Sequence, residues 1–185
     1  MSGTGSVNVS TGRVITGVSG SPGSLRALRF AAEVAGQRGI PLVPVLAWTP
    51  PGGEVADRRF PSPYLRQVWK KAAAQELNDA LELAFGGQPA DVMVAPAVVR
   101  GPAGQVLVAA ACEPGDLLVV GAGQRGLFRR WVRGHVARFC LARAACPVIA
   151  VPPSDLAGAT RGLRRVGLRR SLDPEAARRL PAGTP

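Results

Sequence analysis

The chain has 185 residues, and 46% of them are apolar, which is enough to bury one sizeable hydrophobic core. Its 23 Lys and Arg residues against 12 Asp and Glu give a formal net charge of +11. No apolar stretch approaches the roughly 18 to 20 residues that a membrane-spanning helix needs. Three Cys do not make a disulfide framework, and no pair of them has metal-ligand spacing. We therefore expect a reduced, cytoplasmic protein without a metal site.

The first predicted elements are a strand, a helix and a second strand. The apolar, β-branched run at residues 13–18 predicts a buried strand that ends in a turn. Ser24 is a suitable N-cap for the following helix, and Gly39 is its stop signal. A second apolar run covers residues 41–48, although Pro44 argues against a fully paired central strand.

The middle of the chain contains a long helix between irregular segments. Residues 49–63 are rich in Pro and Gly, which predicts a loop. From Tyr64 the apolar residues recur in pairs four apart, which predicts about six turns of amphipathic helix ending before Gly86. Residues 91–99 are predicted to form the third strand.

The remaining elements continue the alternation of helices and strands. A short helix is predicted to open at Pro102 and to end near Cys112. The run DLLVV at residues 116–120 predicts the fourth strand, which leads into a glycine-rich segment. A helix from about His135 to Ala144 and a fifth strand at residues 147–151 complete the pattern.

Strands that alternate with helices, each strand a near-continuous apolar run, predict an α/β domain with a parallel sheet covered on both faces. Ligands of such sheets bind beyond the carboxyl ends of the strands, where the loops at residues 19–24 and 121–134 stand out. We expect a flexible N-terminus at residues 1–11, the domain at residues 12–152, and a basic tail at residues 153–185. The tail is rich in Arg and poor in large apolar residues, so we expect it to be mostly disordered.

Two stretches carry a family resemblance. Residues 14–48 read VITGVSGSPGSLRALRFAAEVAGQRGIPLVPVLAW, and residues 119–151 read VVGAGQRGLFRRWVRGHVARFCLARAACPVIAV. They resemble the opening and closing motifs of universal stress protein domains, and Val98–Ala103 fits the family's third strand and third helix. The resemblance covers about residues 12–152. It implies a Rossmann-like fold of the adenine nucleotide alpha hydrolase type, with strand order 3-2-1-4-5, and frequent dimerisation through the fifth strand.

The resemblance also implies a nucleotide site. Nucleotide-binding members hold ATP with the loop G-x-x-G-x(9)-G-[S/T] after the fourth strand and with an Asp after the first. Gly121 and Gly134 match the first and last Gly, whereas Gln124 replaces the middle Gly. His135 replaces the Ser/Thr, and Ser19 replaces the Asp. The family-matched candidate binding residues are Gly17, Val18, Ser19, Val120, Gly121, Gly123, Gln124, Arg125, Gly134, His135 and Val136.

Two interpretations of the Gly121–His135 loop stay open. Small residues let backbone N–H groups approach a phosphate, and the loop's four arginines can bind an anion in place of the lost donors. Alternatively, the loop is empty and its arginines face solvent. The absence of a carboxylate at Ser19 removes a metal partner, so no metal ion is expected.

Three functions follow as hypotheses. The first is a universal stress-type binding module in stress response or regulation, with ATP or another adenine nucleotide as its ligand. The second is a ligand-free protein that acts through homodimerisation, because the apolar strand 147–151 is expected at a sheet edge. The third, which we disfavour, is nucleic-acid binding through the Arg-rich tail.

Catalysis is not expected beyond slow hydrolysis of a bound nucleotide. The single His, His135, has no carboxylate near it in the sequence, and the chain contains no nucleophile elbow, Walker loop or metal cluster. The three cysteines, Cys112, Cys140 and Cys146, are expected to pack as small apolar side chains.

Overall fold

In a computed structural model of the chain, residues 12–87, 91–123 and 130–152 are described, with side chains omitted at residues 130–135. The predicted N-terminal segment 1–11 and the predicted tail 153–185 lie outside these residues. The elements in chain order are β1 (Val14–Gly17), α1 (Pro22–Arg38), β2 (Leu42–Trp48), α2 (Gly53–Arg59), α3 (Pro63–Phe85), β3 (Ala97–Arg100), α4 (Ala103–Ala110), β4 (Leu117–Gly121), α5 (Arg130–Arg143) and β5 (Val148–Val151).

The five strands form one sheet in the order β3-β2-β1-β4-β5, and every neighbouring pair is parallel. This confirms the predicted α/β fold and its strand order. Successive residues of β1 face opposite sides of the sheet: Val14 belongs to the core under α1 and α3, and Ile15 to the core under α4 and α5. Both residues are fully buried, so helices cover both faces of the sheet.

Two prolines interrupt the ladder between β2 and β3. Leu42 pairs with Val94 through an isolated bridge, and regular pairing resumes at Val45 and Ala97. Pro44 and Pro96 lie in the gap, where neither has an N–H to donate. The predicted third strand, residues 91–99, is therefore wrong at its start. The prediction that Pro44 prevents full pairing is correct only for the edge of β2 that faces β3. On its other edge β2 is paired, and Pro44 lies in register with Thr16 of β1.

The prediction of loop throughout residues 49–63 is wrong, because α2 forms within it. Gly52 and Gly53 have φ values of 84° and 81°, and this left-handed turn leads into the helix. Glu54 lies in the first turn and Arg58 in the last, which complements the helix dipole. The Pro and Gly residues on both sides hide residues 54–59 from a reading of composition, although this short segment itself contains no Pro or Gly.

Helix α1 begins at Pro22, and its N-cap is Ser21 instead of the predicted Ser24. Proline at the first helical position has the φ that a helix needs, and it lacks an N–H that would have no acceptor there. Gly39, at φ 63°, ends the helix as predicted. No helix of the described residues is both long and apolar enough to cross a membrane.

An ion pair joins the starts of β1 and β4. Asp116, whose side chain is fully buried, accepts hydrogen bonds from Arg13 Nη2 (2.7 Å) and Nε (3.1 Å). The same carboxylate accepts the backbone N–H groups of Arg13 (3.0 Å) and Glu113 (3.1 Å). These bonds align two central strands whose opposite, carboxyl ends form the candidate site.

Candidate functional site

A cavity of about 230 Å³ lies at the carboxyl ends of β1, β2 and β4. Residues two apart along a strand share a face, so Gly17 and Val120 lie on the side of the sheet where Ile15 and Leu118 are buried. The cavity is therefore on the side covered by α4 and α5. Its lining residues are Gly17, Val18, Ser19, Ser21, Gly23, Ser24, Val45, Ala47, Ala103, Leu107, Val120, Gly121, Gly123 and Val136.

Two glycines at the strand ends lie in close packing contacts. A Cβ at Gly17 would lie 2.7 Å from Leu107 Cδ1, so the Leu107 side chain on α4 would have to shift to accept it. A Cβ at Gly121 would lie 2.8 Å from the carbonyl oxygen of Gly23 and 3.0 Å from its carbonyl carbon. Gly121 thus allows the first turn of α1 to contact the end of β4, which brings both elements to the cavity.

Three serines shape the α1 end of the cavity. The N–H of Ser24 donates to Ser21 Oγ (3.3 Å), and Ser24 Oγ donates to the Ser21 carbonyl oxygen (2.9 Å). Ser24 Oγ also accepts the N–H of Ser19 (3.2 Å). The Ser19 and Ser21 hydroxyl oxygens lie 3.2 Å apart near the surface. The Ser24 hydroxyl is thus committed to the loop, while those of Ser19 and Ser21 retain capacity for a ligand.

The electrostatics of this end of the cavity favour an anion. Gly23 lies in the first turn of α1, where backbone N–H groups have no acceptor within the helix, and that turn contains no acidic residue. Ala103, the first residue of α4, also lines the cavity, and its N-cap Pro102 supplies no side-chain hydrogen bond. Two helix N-termini therefore meet at the cavity, an arrangement that suits a phosphate group.

The described lining of the cavity contains no titratable side chain, so it offers neither a general acid nor a general base. Its side-chain polar groups are serine hydroxyls, and its remaining lining residues are glycine or aliphatic. Across the described residues, no group of three or more His, Cys, Asp or Glu is placed to hold a metal ion. The arrangement can hold a ligand with an apolar part and an anionic part.

Seven of the predicted site residues line the cavity. Gly123 has a φ of 78°, a left-handed conformation that favours glycine. Gln124 and Arg125 lie outside the described residues. The seven lining residues are Gly17, Val18, Ser19, Val120, Gly121, Gly123 and Val136.

The predicted loop from Gly121 to His135 is too long, because α5 begins at Arg130. Gly134 and His135 are the fifth and sixth residues of this helix, not its start. The segment 130–133 consists of Arg, Trp and Val, and glycine within a helix costs only about 1 kcal/mol. Gly134 therefore does not end the helix, although the family motif suggests a loop up to that residue.

The walls of the cavity were not predicted from the sequence. Val45 and Ala47, on β2, and Ala103 and Leu107, on α4, all line it. The motif that suggested a site marks only the loops after the first and fourth strands. Residue alternation along β2 was the available signal, because Val45 and Ala47 share a face at the carboxyl end of their strand.

A network of ion pairs lies at the carboxyl end of β3. Arg100 Nη2 donates to Glu54 and to Asp57, at 2.6 Å each, and Arg66 Nε donates to Asp57 at 2.9 Å. The Arg100 guanidinium also lies 5.8 Å from the ring centre of Trp48. Hydrogen bonds from Arg66, and then from Arg100, lower the pKa of the buried Asp57 carboxyl. The network anchors α2 to α3 and β3, and it was not predicted because α2 was not.

Comparison with known proteins identifies the family. The family model described as the universal stress protein family matches residues 11–152. A crystal structure of a universal stress protein in complex with cAMP is 26% identical, with a TM-score of 0.52, over 77% of this chain and 97% of that one. Universal stress protein UspA from Lactobacillus plantarum is 18% identical, with a TM-score of 0.56, over 78% of this chain and 99% of that one. The chain, with its Rossmann-like α/β domain, belongs to the universal stress protein family.

Proposed function

We propose that the chain is a cytoplasmic binding module for stress response or regulation that holds ATP or another adenine nucleotide in the cavity at the ends of β1, β2 and β4. The observation that carries the proposal is the meeting of two helix N-termini with an aliphatic wall in this one cavity. The similar structure in complex with cAMP supports an adenine nucleotide as the ligand.

Each part of a nucleotide has a counterpart in the lining. Val45, Leu107 and Val136 offer apolar surface to the base, as small-molecule sites usually do. The backbone of Gly23 and the hydroxyl of Ser19 lie at the anion-favouring end of the cavity, which supports a phosphate position there. Because Ser19 brings no carboxylate to the first loop, the loop lacks the charged oxygen ligand that Mg²⁺ prefers, and we expect binding without Mg²⁺.

The proposed role is binding and not catalysis. Hydrolysis of a nucleotide needs a group that activates water, and the described lining offers only serine hydroxyls without a neighbouring base. Slow hydrolysis, at most, is compatible with this chemistry.

Isothermal titration calorimetry with ATP, ADP and cAMP, each with and without EDTA, tests the proposal. Ala103→Phe places a ring in the cavity and is expected to abolish the heat of binding. Ala109→Phe, at an exposed position of the same helix, is the matched control and is expected to bind as the wild type does. Gly121→Asp is unsuitable, because any side chain at Gly121 meets the backbone of Gly23. Absence of binding by the wild-type chain to all three nucleotides would refute the proposal.

The position of β5 supports a second candidate function, a homodimeric interaction protein without a nucleotide. Within residues 12–87, 91–123 and 130–152, β5 is an edge strand paired only with β4, and its Val148, Ile149 and Ala150 are partly exposed. Natural proteins rarely leave an apolar edge strand uncovered, and a two-fold axis would pair β5 with its own copy. A dimeric mass in solution together with no nucleotide binding would favour this candidate over the first.

A further inference from the structure

The first turns of α3 project beyond the hydrophobic core. None of the residues from Pro63 to Ala72 is buried, and the first buried residue of the helix is Ala73. Further along, Leu77 and Ala80 continue the buried stripe. The beginning of this helix is therefore held by the rest of α3 and by its contacts with α2, while most of its own surface faces solvent.

Large apolar side chains are exposed at this projecting end. The exposed fractions are 82% for Phe60, 75% for Tyr64, 42% for Leu65 and 41% for Val68. Tyr64 and Val68 are one helical turn apart and share a face, and Leu65 lies beside them. We call these four residues the α3 tip. Large apolar side chains that are exposed together, unlike scattered single ones, indicate an interaction surface.

Cations flank the α3 tip in the sequence. Arg58 and Arg59 precede Phe60, and Lys70 and Lys71 follow Val68. Within the described part of the chain, none of these four cations has a carboxylate within ion-pair distance.

The nearby carboxylates do not cancel this charge. Asp57 is bound to Arg66 and Arg100, and Glu54 is bound to Arg100. Because Arg66 lies on the first turns of α3, its bond to buried Asp57 also fixes the tip against α2. The α3 tip is thus an apolar surface flanked by positive charge, and the contact between Arg66 and Asp57 fixes it against α2 without a partner.

We propose that the α3 tip docks on an anionic phospholipid surface. Helices that lie in a membrane interface combine exposed aromatic and aliphatic side chains with flanking Lys and Arg, which attract acidic headgroups. The net charge of +11 on the whole chain favours the same target.

Other partners fit the α3 tip less well. Single-stranded nucleic acid would stack on Phe60 and Tyr64, but the aliphatic Leu65 and Val68 offer no flat ring for a further base. A second copy of the chain would bring the same four cations to a symmetric contact, where they repel each other. An acidic protein is the partner that a negative vesicle result would favour.

Sedimentation of the full-length chain with sucrose-loaded vesicles tests the proposal. We expect binding to equimolar phosphatidylglycerol and phosphatidylcholine, and little binding to phosphatidylcholine alone. The double variant Phe60→Ser/Tyr64→Ser removes the aromatic part of the tip and is expected to weaken binding at least tenfold. Its matched control is Leu83→Ser/Met93→Ser, because both residues are exposed apolar side chains elsewhere, and this variant is expected to bind as the wild type does.

The cations are tested separately. Lys71→Gln is expected to weaken binding to the anionic vesicles about fivefold, and Arg38→Gln, an exposed change on α1, by clearly less. Failure of the wild-type chain to bind anionic vesicles would overturn the proposal. Equal binding by the wild type and Phe60→Ser/Tyr64→Ser, with unchanged circular dichroism, would also overturn it, because attraction elsewhere on the chain would then account for the binding.

Discussion

Replacement of Asp116 by Ala probes the contact that aligns β1 with β4. The Asp116 carboxylate is fully buried and accepts two backbone N–H groups, from Arg13 and Glu113, besides two N–H groups of the Arg13 guanidinium. In Asp116→Ala the guanidinium, whose side chain is 37% exposed, can turn to water. The two amides have less freedom, because the backbone holds them, at Arg13 directly before β1 and at Glu113 in the turn before β4.

The magnitude follows from the two amides. A partly buried N–H left without an acceptor costs about 1 to 2 kcal/mol, so two of them cost about 3 kcal/mol. The Arg13 ion pair adds little, because it is partly exposed to solvent. A domain of this size is typically stable by about 5 to 15 kcal/mol, so the variant is expected to fold and to be measurable.

The pH dependence of the same contact has a defined sign. Burial alone raises the pKa of Asp116, but hydrogen bonds from Arg13 and from the Glu113 amide outweigh it, so the net pKa is lowered. A carboxyl group whose pKa is lower in the folded state stabilises the fold above its unfolded value of about 3.9. That contribution is lost as the pH falls from about 4 towards the folded pKa. The variant should therefore lose less stability than the wild type in this range.

Urea unfolding followed by circular dichroism measures the effect. With a slope of about 2 kcal/mol per molar urea, 3 kcal/mol lowers the midpoint by about 1.5 M. Asp91→Ala is the control, because Asp91 is exposed and makes no ion pair in the described structure, and its change is expected to stay within about 0.5 kcal/mol. If Asp116→Ala changed the free energy of unfolding no more than Asp91→Ala does, the assigned role of Asp116 would be wrong.

Three further predictions concern other parts of the fold. Gly121→Ala should destabilise the chain by about 1 to 3 kcal/mol in thermal unfolding, because its Cβ meets the Gly23 backbone, whereas Gly23→Ala has free space around it. As the pH falls from about 4 towards the folded pKa of Asp57, which its Arg partners lower, α2 should lose protection against amide hydrogen exchange, measured relative to the intrinsic rate, while α1 does not. Light scattering should give a dimeric mass for the full chain and a monomeric mass for Val148→Lys; a monomeric wild type would contradict the dimer.

The elements that the sequence predicted best are those determined by apolar pattern alone. The runs at residues 13–18 and 116–120 have one interpretation, since strands buried on both faces are apolar throughout. The long series of apolar residues at four-residue intervals from Tyr64 to Phe85 likewise predicts one helix, which the structure places at Pro63–Phe85. The strand order came from the family resemblance, because pattern alone does not order parallel strands.

The missed elements depend on contacts that are distant in sequence. Helix α2 is seven residues long and is held by Arg66 and Arg100, which lie outside it, so its own sequence carries little signal. The start of β3 is set by two prolines on neighbouring strands, Pro44 and Pro96. The effect of Pro96 on strand pairing cannot be predicted until the register between β2 and β3 is known.

The candidate site was predicted only in part, because some of its residues are brought together by contacts that are distant in sequence. The ends of β1 and β4 carry glycine-rich loops that stand out in one sequence, and both line the cavity. The wall contributed by Val45 and Leu107 consists of ordinary aliphatic residues, which become part of a site only when the sheet order places β2 beside β1. The start of α5 at Arg130 was missed because the motif directed attention to Gly134 and His135.

Nuclear magnetic resonance of the ¹⁵N-labelled chain during titration with cAMP reports both nucleotide binding and its location. We expect saturable changes in the chemical shifts of the backbone amides of Gly17, Ser19 and Gly121 at the cavity. The chemical shifts of the amides of Gly39 and Gly86, at the C-terminal ends of α1 and α3, should not change. Shifts confined to residues outside the cavity, or no shifts at millimolar cAMP, ADP and ATP, would show that the cavity does not bind an adenine nucleotide.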